Sequence, residues 1–587
     1  MHRTRFRRLA AAGIAVVALA AIAACDTADA SNRPQPPERG GTLRVVVSVL
    51  PEHLDPQKIA AALDANVSRL ITRTLTTVKS EAGSGASEIV GDLATDTGRP
   101  SADRREWDFT LKKGLRWEDG SLVTCEHVKY GVERNFSDLF TSGLQYPRQL
   151  LADNPEPYKG PLRGTNEGLD SVTCVDQSTI RFRLKQAMGD FGYAVALPVF
   201  APVPLGKDAD KEAYDHKPFA TGPYKIAESD AKHVSLERNP HWSSSTDSVR
   251  KAYPDRIEIV LDSNTPKVTN ALVQDQGEAR NTVLFDVDIA PNFVQQIVND
   301  DQLSKRMITG TFSGVRYFAI NTARITDVRC RQALEYAVNK RKFRSAMGGQ
   351  MFGELATSII SPQLRSHKVF DLYSTKSKPE GDRDRAIQLL EEARAAGKPC
   401  RDRIRLAYPD SPVRRRLVQT VIESFQRVGI ATQAVPVQPP VGPGETCPKG
   451  ATCLDYFDAA IGNPKNDYDV MWAGWVADWA NGSAVIPPLF SSGVIPTGEG
   501  ATGNKNFSNF RDKSVDEMIE AAMAEADLDA QYRLWGELDQ KIQEQAPIIP
   551  MLYMKALRFA GSNVRGGFIH PAFGQPDLCA LGLGSSS

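Results

Sequence analysis

The N-terminal segment sets the compartment in which this chain must fold, and so constrains the fold more than any other feature. Four arginines within the first eight residues precede an apolar run from Leu9 to Ala24. As a helix, that run of roughly 16 residues would span only ~24 Å, less than a ~30 Å hydrocarbon core. A basic start followed by a short apolar block predicts a secretory signal peptide at residues 1–24. We therefore expect the rest of the chain to fold in an oxidising compartment.

The end of the apolar run carries a further signal. Ile22-Ala23-Ala24-Cys25 resembles the lipobox of bacterial lipoproteins, in which the cysteine is diacylated and becomes the mature N-terminus. This resemblance implies that Cys25 is lipidated and that the protein is anchored to the outer face of the cytoplasmic membrane. The alternative is a buried cysteine that happens to follow two alanines. Residues 25–41 are rich in Pro, Ser, Asp and Gly, which predicts a disordered tether with a reach of roughly 20 Å.

Length, charge and hydropathy limit the classes of protein to which this chain can belong. No later run approaches 18 apolar residues, so we expect no other membrane span. Lys and Arg number 71 and Asp and Glu number 71, a balance that gives no indication of nucleic-acid binding. A chain of 587 residues exceeds what one hydrophobic core supports, which predicts two or three lobes.

Cysteine spacing predicts two disulfides. Cys447 and Cys453 lie six residues apart around a Pro-Lys-Gly turn that would bring them together. Cys125 and Cys174 fall within one candidate subdomain, and closing a loop of that size would stabilise the fold by about 4 kcal/mol.

The other cysteines leave an alternative open. Cys330, Cys400 and Cys579 leave one thiol unpaired, and the sequence does not assign their pairing. A metal site is the rival interpretation, but no CxxC or HExxH spacing occurs and the histidines are scattered. We therefore expect no metal and no other cofactor.

Hydrophobic periodicity predicts alternating strands and helices. The expected strands are at 42–47, 178–184, 254–261 and 315–322, with a hairpin of two short strands over 106–120. The expected helices are at 64–76, 125–135, 327–339, 379–396 and 414–428, with a further helix opened by a capping box at Ser514–Glu517 and another around 532–542.

Four motifs in order identify a family. They are Leu54-Asp55-Pro56, a Leu-Lys-Lys-Gly to Trp-Glu-Asp-Gly hairpin at 111–120, Thr-Gly-Pro-Tyr at 221–224 and Arg-Asn-Pro-His-Trp at 238–242. Together they resemble the solute-binding proteins of bacterial peptide ABC importers, and the resemblance extends from about Gly40 to Phe573.

The resemblance implies an α/β, two-lobed periplasmic-binding-protein-like fold of class II (cluster C), with an extra small subdomain. Lobe 1 would comprise residues 42–262, including the small subdomain at about 60–200, and lobe 2 would comprise 263–546. Residues 547–587 would return to lobe 1 and form the C-terminal tail. The implied function is capture of peptides or similar amine-bearing solutes by cleft closure, with delivery to an ABC import permease. We expect a monomer and no enzymatic activity.

The stretch Asp467–Trp479 is the predicted centre of the binding site. It begins as an alternating strand and ends with Asp478 between Trp475 and Trp479, a carboxylate among rings that suits a cationic group. The alternative is that the tryptophans are core and Asp478 caps a short helix. Trp475-Val476-Ala477-Asp478 matches the family's tryptophan-to-aspartate motif, which implies that Asp478 meets the peptide ammonium and that Trp475 forms a packing wall.

Other functions stay open on the sequence. Members of the family also bind nickel chelates, sugars, opines or antibiotics, and a lipoprotein that senses without transport would share this pattern. A secreted hydrolase is the competing class, since Ser248-Val249-Arg250-Lys251 has the Ser-x-x-Lys spacing of penicillin-interactive serines. The companion Ser-Asp-Asn and Lys-Thr-Gly motifs are missing.

Overall fold

A computed structural model describes residues 36–140, 143–152, 158–161, 168–441, 447–448 and 452–584. The predicted signal peptide, Cys25 and most of the predicted tether lie outside these residues. Within these ranges, every helix is too short or too polar to cross a bilayer.

The strands, numbered β1 to β22 in this order, are Thr42–Val47, Thr76–Val78, Ile89–Gly91, Arg99–Pro100, Glu106–Thr110, Val172–Cys174, Thr179–Arg183, Tyr224–Ser229, His233–Arg238, Arg256–Leu261, Thr282–Leu284, Met307–Ile320, Gly353–Leu355, Arg403–Pro409, Ala431–Gln438, Thr452–Cys453, Val470–Trp475, Ile548–Phe559, Val564–Arg565, Ile569–His570, Gln575–Pro576 and Gly582–Leu583. The α-helices are Ala62–Ile71, Cys125–Arg134, Tyr146–Leu150, Phe191–Ala194, Lys211–His216, Thr265–Gln274, Pro291–Asn299, Asp301–Ser304, Val328–Ala337, Lys340–Met347, Arg383–Ala395, Pro412–Gln426, Ile486–Phe490, Lys513–Ala524 and Leu528–Glu544.

A five-stranded sheet with the order β11-β1-β10-β9-β8 forms the first lobe. Strand β1 lies between β10 and β11 and runs parallel to both. The β-branched run of β1 is buried on both sides, because Leu43 and Val45 pack into one core and Val46 packs into another. Leu581 and Leu583 join the first of these cores, so this stretch near the C-terminus packs with the first-lobe sheet.

A seven-stranded sheet with the order β13-β18-β12-β17-β14-β15-β16 forms the second lobe. Its long strands β12 and β18 pair antiparallel, with irregular register after Thr311. Ala560, the residue after β18, bridges to Val283 of the five-stranded sheet. The two long strands therefore connect the lobes, as a hinge requires.

A four-stranded sheet, β4-β5-β7-β6, makes the predicted small subdomain. The alternation of β5 and β7 buries Trp107, Phe109 and Phe182 on one face, where they meet Phe191. The core of this subdomain is continuous with the core of the second-lobe sheet. The subdomain thus lies directly against the second lobe.

Most predicted elements form, and three differ for local reasons. The second strand of the hairpin is absent, and Arg116 makes only an isolated bridge to Leu122. The helix predicted to reach Thr76 ends at Ile71, because the Thr-Arg-Thr-Leu-Thr-Thr run that follows favours extended backbone. Asp512 rather than Ser514 caps the helix at Lys513–Ala524, since its carboxylate accepts from the backbone N–H groups of Ser514 and Val515.

The lobe boundaries stay a proposal, with one revision. Strand β11 pairs with β1 in the first-lobe sheet, although a boundary at 262/263 would assign it to lobe 2. We propose that the chain first crosses at β12 instead. The proposed return beginning at 547 starts within the second-lobe sheet, where β18 pairs with β12, and reaches the first lobe at Ala560.

Both predicted disulfides are present. Cys125 pairs with Cys174 and Cys447 pairs with Cys453. The assignment left open is also resolved, because Cys330 pairs with Cys400 and Cys579 is a free, buried thiol.

Candidate functional site

A cavity of about 240 Å³ lies where the first lobe, the small subdomain and the second lobe meet. Strand β17 ends at Trp475, and the chain that follows, 476–480, forms one wall. The opposite walls come from the segments around 59–78, 193–201 and 572–573. Most lining residues are small or apolar, so a few polar groups dominate its electrostatics.

Asp478 is the carboxylate in this cavity. Its side chain is surrounded by protein yet exposed, because it faces the open space of the cavity. The Tyr146 hydroxyl donates a hydrogen bond to Oδ2, and no lysine, arginine or histidine of the described ranges pairs with it. Burial raises the pKa of Asp478, and the Tyr146 hydrogen bond opposes that rise. A carboxylate held in this way is suited to receive an ammonium group.

The two neighbouring tryptophans have different places. Trp479 lines the cavity, packs edge-on against Tyr146 with centroids 5.1 Å apart, and donates from Nε1 to Ser483 Oγ at 2.8 Å. Trp475 is half-buried, and its Nε1 donates to the carbonyl of Ala484 at 2.8 Å. The cavity lining includes Trp479 and not Trp475, so the role predicted for Trp475 stays a prediction.

Several lining residues were not identified from the sequence. Arg69 lines the cavity with its guanidinium 4.9 Å from the Phe573 ring, while its Nη1 pairs with Asp577 at 3.0 Å. Tyr193, from the small subdomain, also lines the cavity. Tyr146, from the same subdomain, does not line it and reaches the site through its hydrogen bond to Asp478. A signal existed only for Arg69, which is the single cation of the helix Ala62–Ile71. The others lie in segments far apart in sequence, where no local pattern marks them.

A polar cluster joins the small subdomain to the second lobe beside the cavity. The buried Asp190 carboxylate accepts from Asn481 Nδ2 at 2.7 Å and from the Ser483 hydroxyl. The hydroxyls of Tyr193 and Tyr532 lie 2.7 Å apart, also across this interface. Desolvation raises the pKa of Asp190. These contacts hold the cavity walls together.

Ser248 and Lys251, the residues of the rival hydrolase hypothesis, are not arranged as a nucleophile and its base. Lys251 Nζ donates to the backbone carbonyl of Ser248 at 3.1 Å, and both residues are exposed. Arg250 between them is fully buried and pairs with Asp92 and Asp247. Within the described ranges, no group of three potential ligands could hold a metal ion.

Comparison with known proteins identifies the family. Residues 88–496 match the family model of bacterial extracellular solute-binding proteins, family 5 Middle. This chain belongs to that family of extracytoplasmic solute-binding proteins, and its two-lobed α/β fold is the fold of that family.

Individual relatives cover nearly the whole chain. The periplasmic oligopeptide-binding protein OppA of Salmonella typhimurium is 23% identical over 581 residues, 95% of each chain. The solved structure of clavulanic acid biosynthesis oligopeptide binding protein 2 is 30% identical with a TM-score of 0.82, and the match covers 94% of this chain and 97% of that one. The periplasmic binding protein DppA from Helicobacter pylori, solved with the peptide STSA, is 18% identical with a TM-score of 0.63, covering 93% and 99%.

Proposed function

We propose that this protein binds short peptides between its lobes without altering them and delivers them to an ABC import permease. The observation that carries the proposal is the Asp478 carboxylate, which faces the cavity and has no cationic partner within the described ranges. A peptide ammonium supplies that missing charge. The names of the relatives, two of them oligopeptide-binding proteins and one solved with a peptide, point to the same class of ligand.

The size of the cavity supports a short ligand. A volume of about 240 Å³ is below the ~300–1,000 Å³ of sites for drug-sized molecules. Small apolar walls admit varied side chains, while the backbone of the peptide offers hydrogen-bonding groups common to every sequence. The cavity thus combines one charge-specific contact with tolerant surroundings.

The test of the site compares Asp478→Asn with wild type by calorimetry, using trialanine as the probe. Because a charge-assisted hydrogen bond contributes ~1.5–3 kcal/mol, the variant should bind ~10–100-fold more weakly. N-acetyl-trialanine, which lacks the ammonium, should lose a similar factor on wild type. Asp458→Asn, an exposed carboxylate in the same lobe, is the matched control and should bind as wild type. Equal affinities of Asp478→Asn and wild type, or cleavage of the probe, would contradict the proposal.

Native mass spectrometry of the purified protein tests the class of ligand. We expect a mixture of short peptides to co-purify. If a single non-peptide amine co-purifies instead, the ligand is that amine rather than a peptide, and Asp478 remains the residue proposed to bind its ammonium group.

We also propose that Cys25 carries lipid and holds the protein at the outer face of the cytoplasmic membrane. Cys25→Ser should shift the protein from the membrane fraction to the medium, or block its processing. Membrane fractionation and mass spectrometry of the N-terminal peptide measure this change. If the variant stays in the membrane fraction at the mature wild-type mass, the anchor lies elsewhere.

A further inference from the structure

A second cavity, of about 590 Å³, lies in the second lobe at the end of the sheet away from Asp478. Its lining begins two residues after Ile320 of β12, which pairs with Val470, the first residue of β17. The six residues of β17 span about 20 Å between this end and the Asp478 cavity. We call the second space the outer cavity. It is lined by the segments around 322–326, 464–465, 495–498 and 509–512, with Arg331 and Gln545, and it shares no lining residue of the described ranges with the Asp478 cavity.

Three cations line the outer cavity, namely Arg331, Lys465 and Arg511. Lys465 and Arg511 are exposed, and within the described ranges neither side chain makes a hydrogen bond or an ion pair. The acid of the lining is Asp512, whose carboxylate accepts from two backbone N–H groups at the start of the helix Lys513–Ala524. Three cations against one acid leave the lining with a net charge of +2.

Arg331 is the buried member of the three, with 5% of the residue exposed. Its Nε donates to the carbonyl of Gln545 at 2.9 Å, and its Nη1 donates to the carbonyls of Ile325 and Thr326 at 2.9 and 2.8 Å. Among the described residues no acceptor takes a hydrogen bond from Nη2, so this nitrogen is available to the cavity. Burial lowers the pKa of Arg331 to about 10, so the guanidinium stays charged at neutral pH.

The partners of Arg331 are neutral, which is unusual for a buried arginine. The buried Arg134, for comparison, pairs with Asp55 at 2.6 Å. The carboxylate that acts on Arg331 from a longer distance is Asp327, and it is already paired with Arg329 at 2.7 Å. Because desolvation penalises a buried charge that has no counter-charge, an anion in the outer cavity would be stabilised by Arg331.

The rest of the lining is largely apolar and held in place. Ile495 and Phe510 are buried, and they line the cavity together with Pro464 and Pro496. Asn509 Nδ2 donates to the carbonyl of Pro464 at 3.0 Å, which fixes two of the lining segments to each other. A volume of about 590 Å³ lies within the ~300–1,000 Å³ of sites for small organic ligands.

We propose that the outer cavity binds a small organic acid, with its carboxylate at Arg331, Lys465 and Arg511 and its apolar part against Ile495 and Phe510. The donors of a guanidinium match the geometry of a carboxylate, and burial of the apolar part adds to the affinity. This site is separate from Asp478, so the inference goes beyond the proposed function and does not depend on it.

Calorimetry with benzoate tests the site, because benzoate joins a carboxylate to an apolar ring and benzamide is its neutral counterpart. At constant ionic strength, we expect wild type to bind benzoate at least tenfold more tightly than benzamide. The double substitution Lys465→Gln/Arg511→Gln removes two of the three cations and should weaken benzoate binding at least tenfold. The Tm without benzoate should stay at the wild-type value, since neither side chain has a partner among the described residues.

Lys513→Gln/Arg533→Gln is the matched control. It removes one lysine and one arginine from exposed positions outside the lining and should bind benzoate as wild type does. Asp478→Asn should also keep the wild-type affinity for benzoate. No binding of benzoate by wild type, or equal binding by wild type and Lys465→Gln/Arg511→Gln, would overturn the inference. Equal affinities of wild type for benzoate and benzamide would overturn it as well.

A conservative substitution separates binding from a structural role. If the double variant has a lower Tm, Arg511→Lys and Arg511→Gln decide between the two roles. Arg511→Lys keeps the charge and should retain most of the benzoate affinity, whereas Arg511→Gln should lose it. An equal loss in both variants would show that Arg511 supports the fold rather than the ligand, and would overturn the inference.

Discussion

Asp478 owes its charge state to two opposing effects, burial in the protein and the hydrogen bond from Tyr146. Burial disfavours the carboxylate and raises its pKa, while the hydroxyl stabilises the carboxylate and lowers it. Binding of an ammonium requires the ionised form. Affinity should therefore be full above the raised pKa and should fall as the pH drops through it.

Tyr146→Phe should move that loss of affinity to higher pH, because it removes the group that lowers the pKa of Asp478. Calorimetric titration of trialanine from pH 4 to 8 measures the midpoint. Tyr158→Phe, a tyrosine of the same subdomain that does not line the cavity, provides the control and should keep the wild-type midpoint. A midpoint that stays constant in Tyr146→Phe would show that the hydroxyl does not tune this carboxylate.

At the scale of single residues, the sequence predicts site residues that are adjacent in the chain better than site residues that only the fold brings together. Asp478 could be identified because its motif lies within four successive residues. Tyr146 reaches it across more than three hundred residues, through a fold that no local pattern encodes. Trp479 and Trp475 could not be told apart, because which indole faces the cavity depends on the turn after β17.

Among the elements, the helix Val328–Ala337 is tied to the chain before β14 by the disulfide Cys330–Cys400. The crosslink closes a sequence separation of 70 residues, and the crosslink Cys447–Cys453 closes one of 6. Since a longer loop loses more entropy in the unfolded chain, the two bonds should differ in their contribution to stability.

Replacing Cys330 and Cys400 together by alanine should lower the free energy of unfolding by about 4 kcal/mol, whereas the same change at Cys447 and Cys453 should lower it by about 2 kcal/mol. Urea unfolding monitored by tryptophan fluorescence measures both. In each variant, a reductant should lower the free energy of unfolding only through the disulfides that remain. Equal losses from the two pairs would argue against the loop-entropy explanation.

Elements with strong periodicity were predictable, whereas the pairing of the short hairpin was not. The helix at Cys125–Arg134 and the strand at Thr179–Arg183 form within a residue or so of their predicted bounds. The hairpin failed at its second strand because a tight turn at Trp117–Gly120 folds the chain back on itself, where Gly120 N–H donates to the Trp117 carbonyl. The alternation of apolar and polar residues in one segment does not reveal whether another strand is placed to pair with it.

For the whole molecule, we expect the contact between the small subdomain and the second lobe to govern closure of the lobes. Asn481 stands at its centre, donating to Asp190 and, at 2.6 Å, to Gln531. Asn481 does not line the cavity, so its effect on a ligand would act through the lobes.

Asn481→Ala should weaken trialanine binding by roughly 5–100-fold, because leaving buried partners unsatisfied costs ~1–3 kcal/mol in the closed form. Small-angle X-ray scattering should show a larger radius of gyration without ligand than in wild type. Asn299→Ala, at an exposed helix end, is the control. Wild-type affinity and size in Asn481→Ala would mean that this contact does not govern closure.

The two-lobed class was predictable from motifs spread along the chain, but the crossing point was not. Strand β11 returns to the first sheet after the helix Thr265–Gln274, and it forms a parallel pairing with β1 that the sequence does not mark. The continuous core of the small subdomain and the second lobe likewise depends on how separate units dock.

Among the residues that the structure describes, Cys579 is the thiol left over by three disulfides, and it is 2% exposed in the first-lobe core. Its surroundings raise the pKa of the thiol to about 12, chiefly through burial, so almost no reactive thiolate forms at neutral pH. An unpaired sulfur on the surface of a secreted protein would invite covalent linkage between copies or exchange with the neighbouring bridges. Enclosed here, it leaves the three crosslinks undisturbed for as long as the first lobe stays folded.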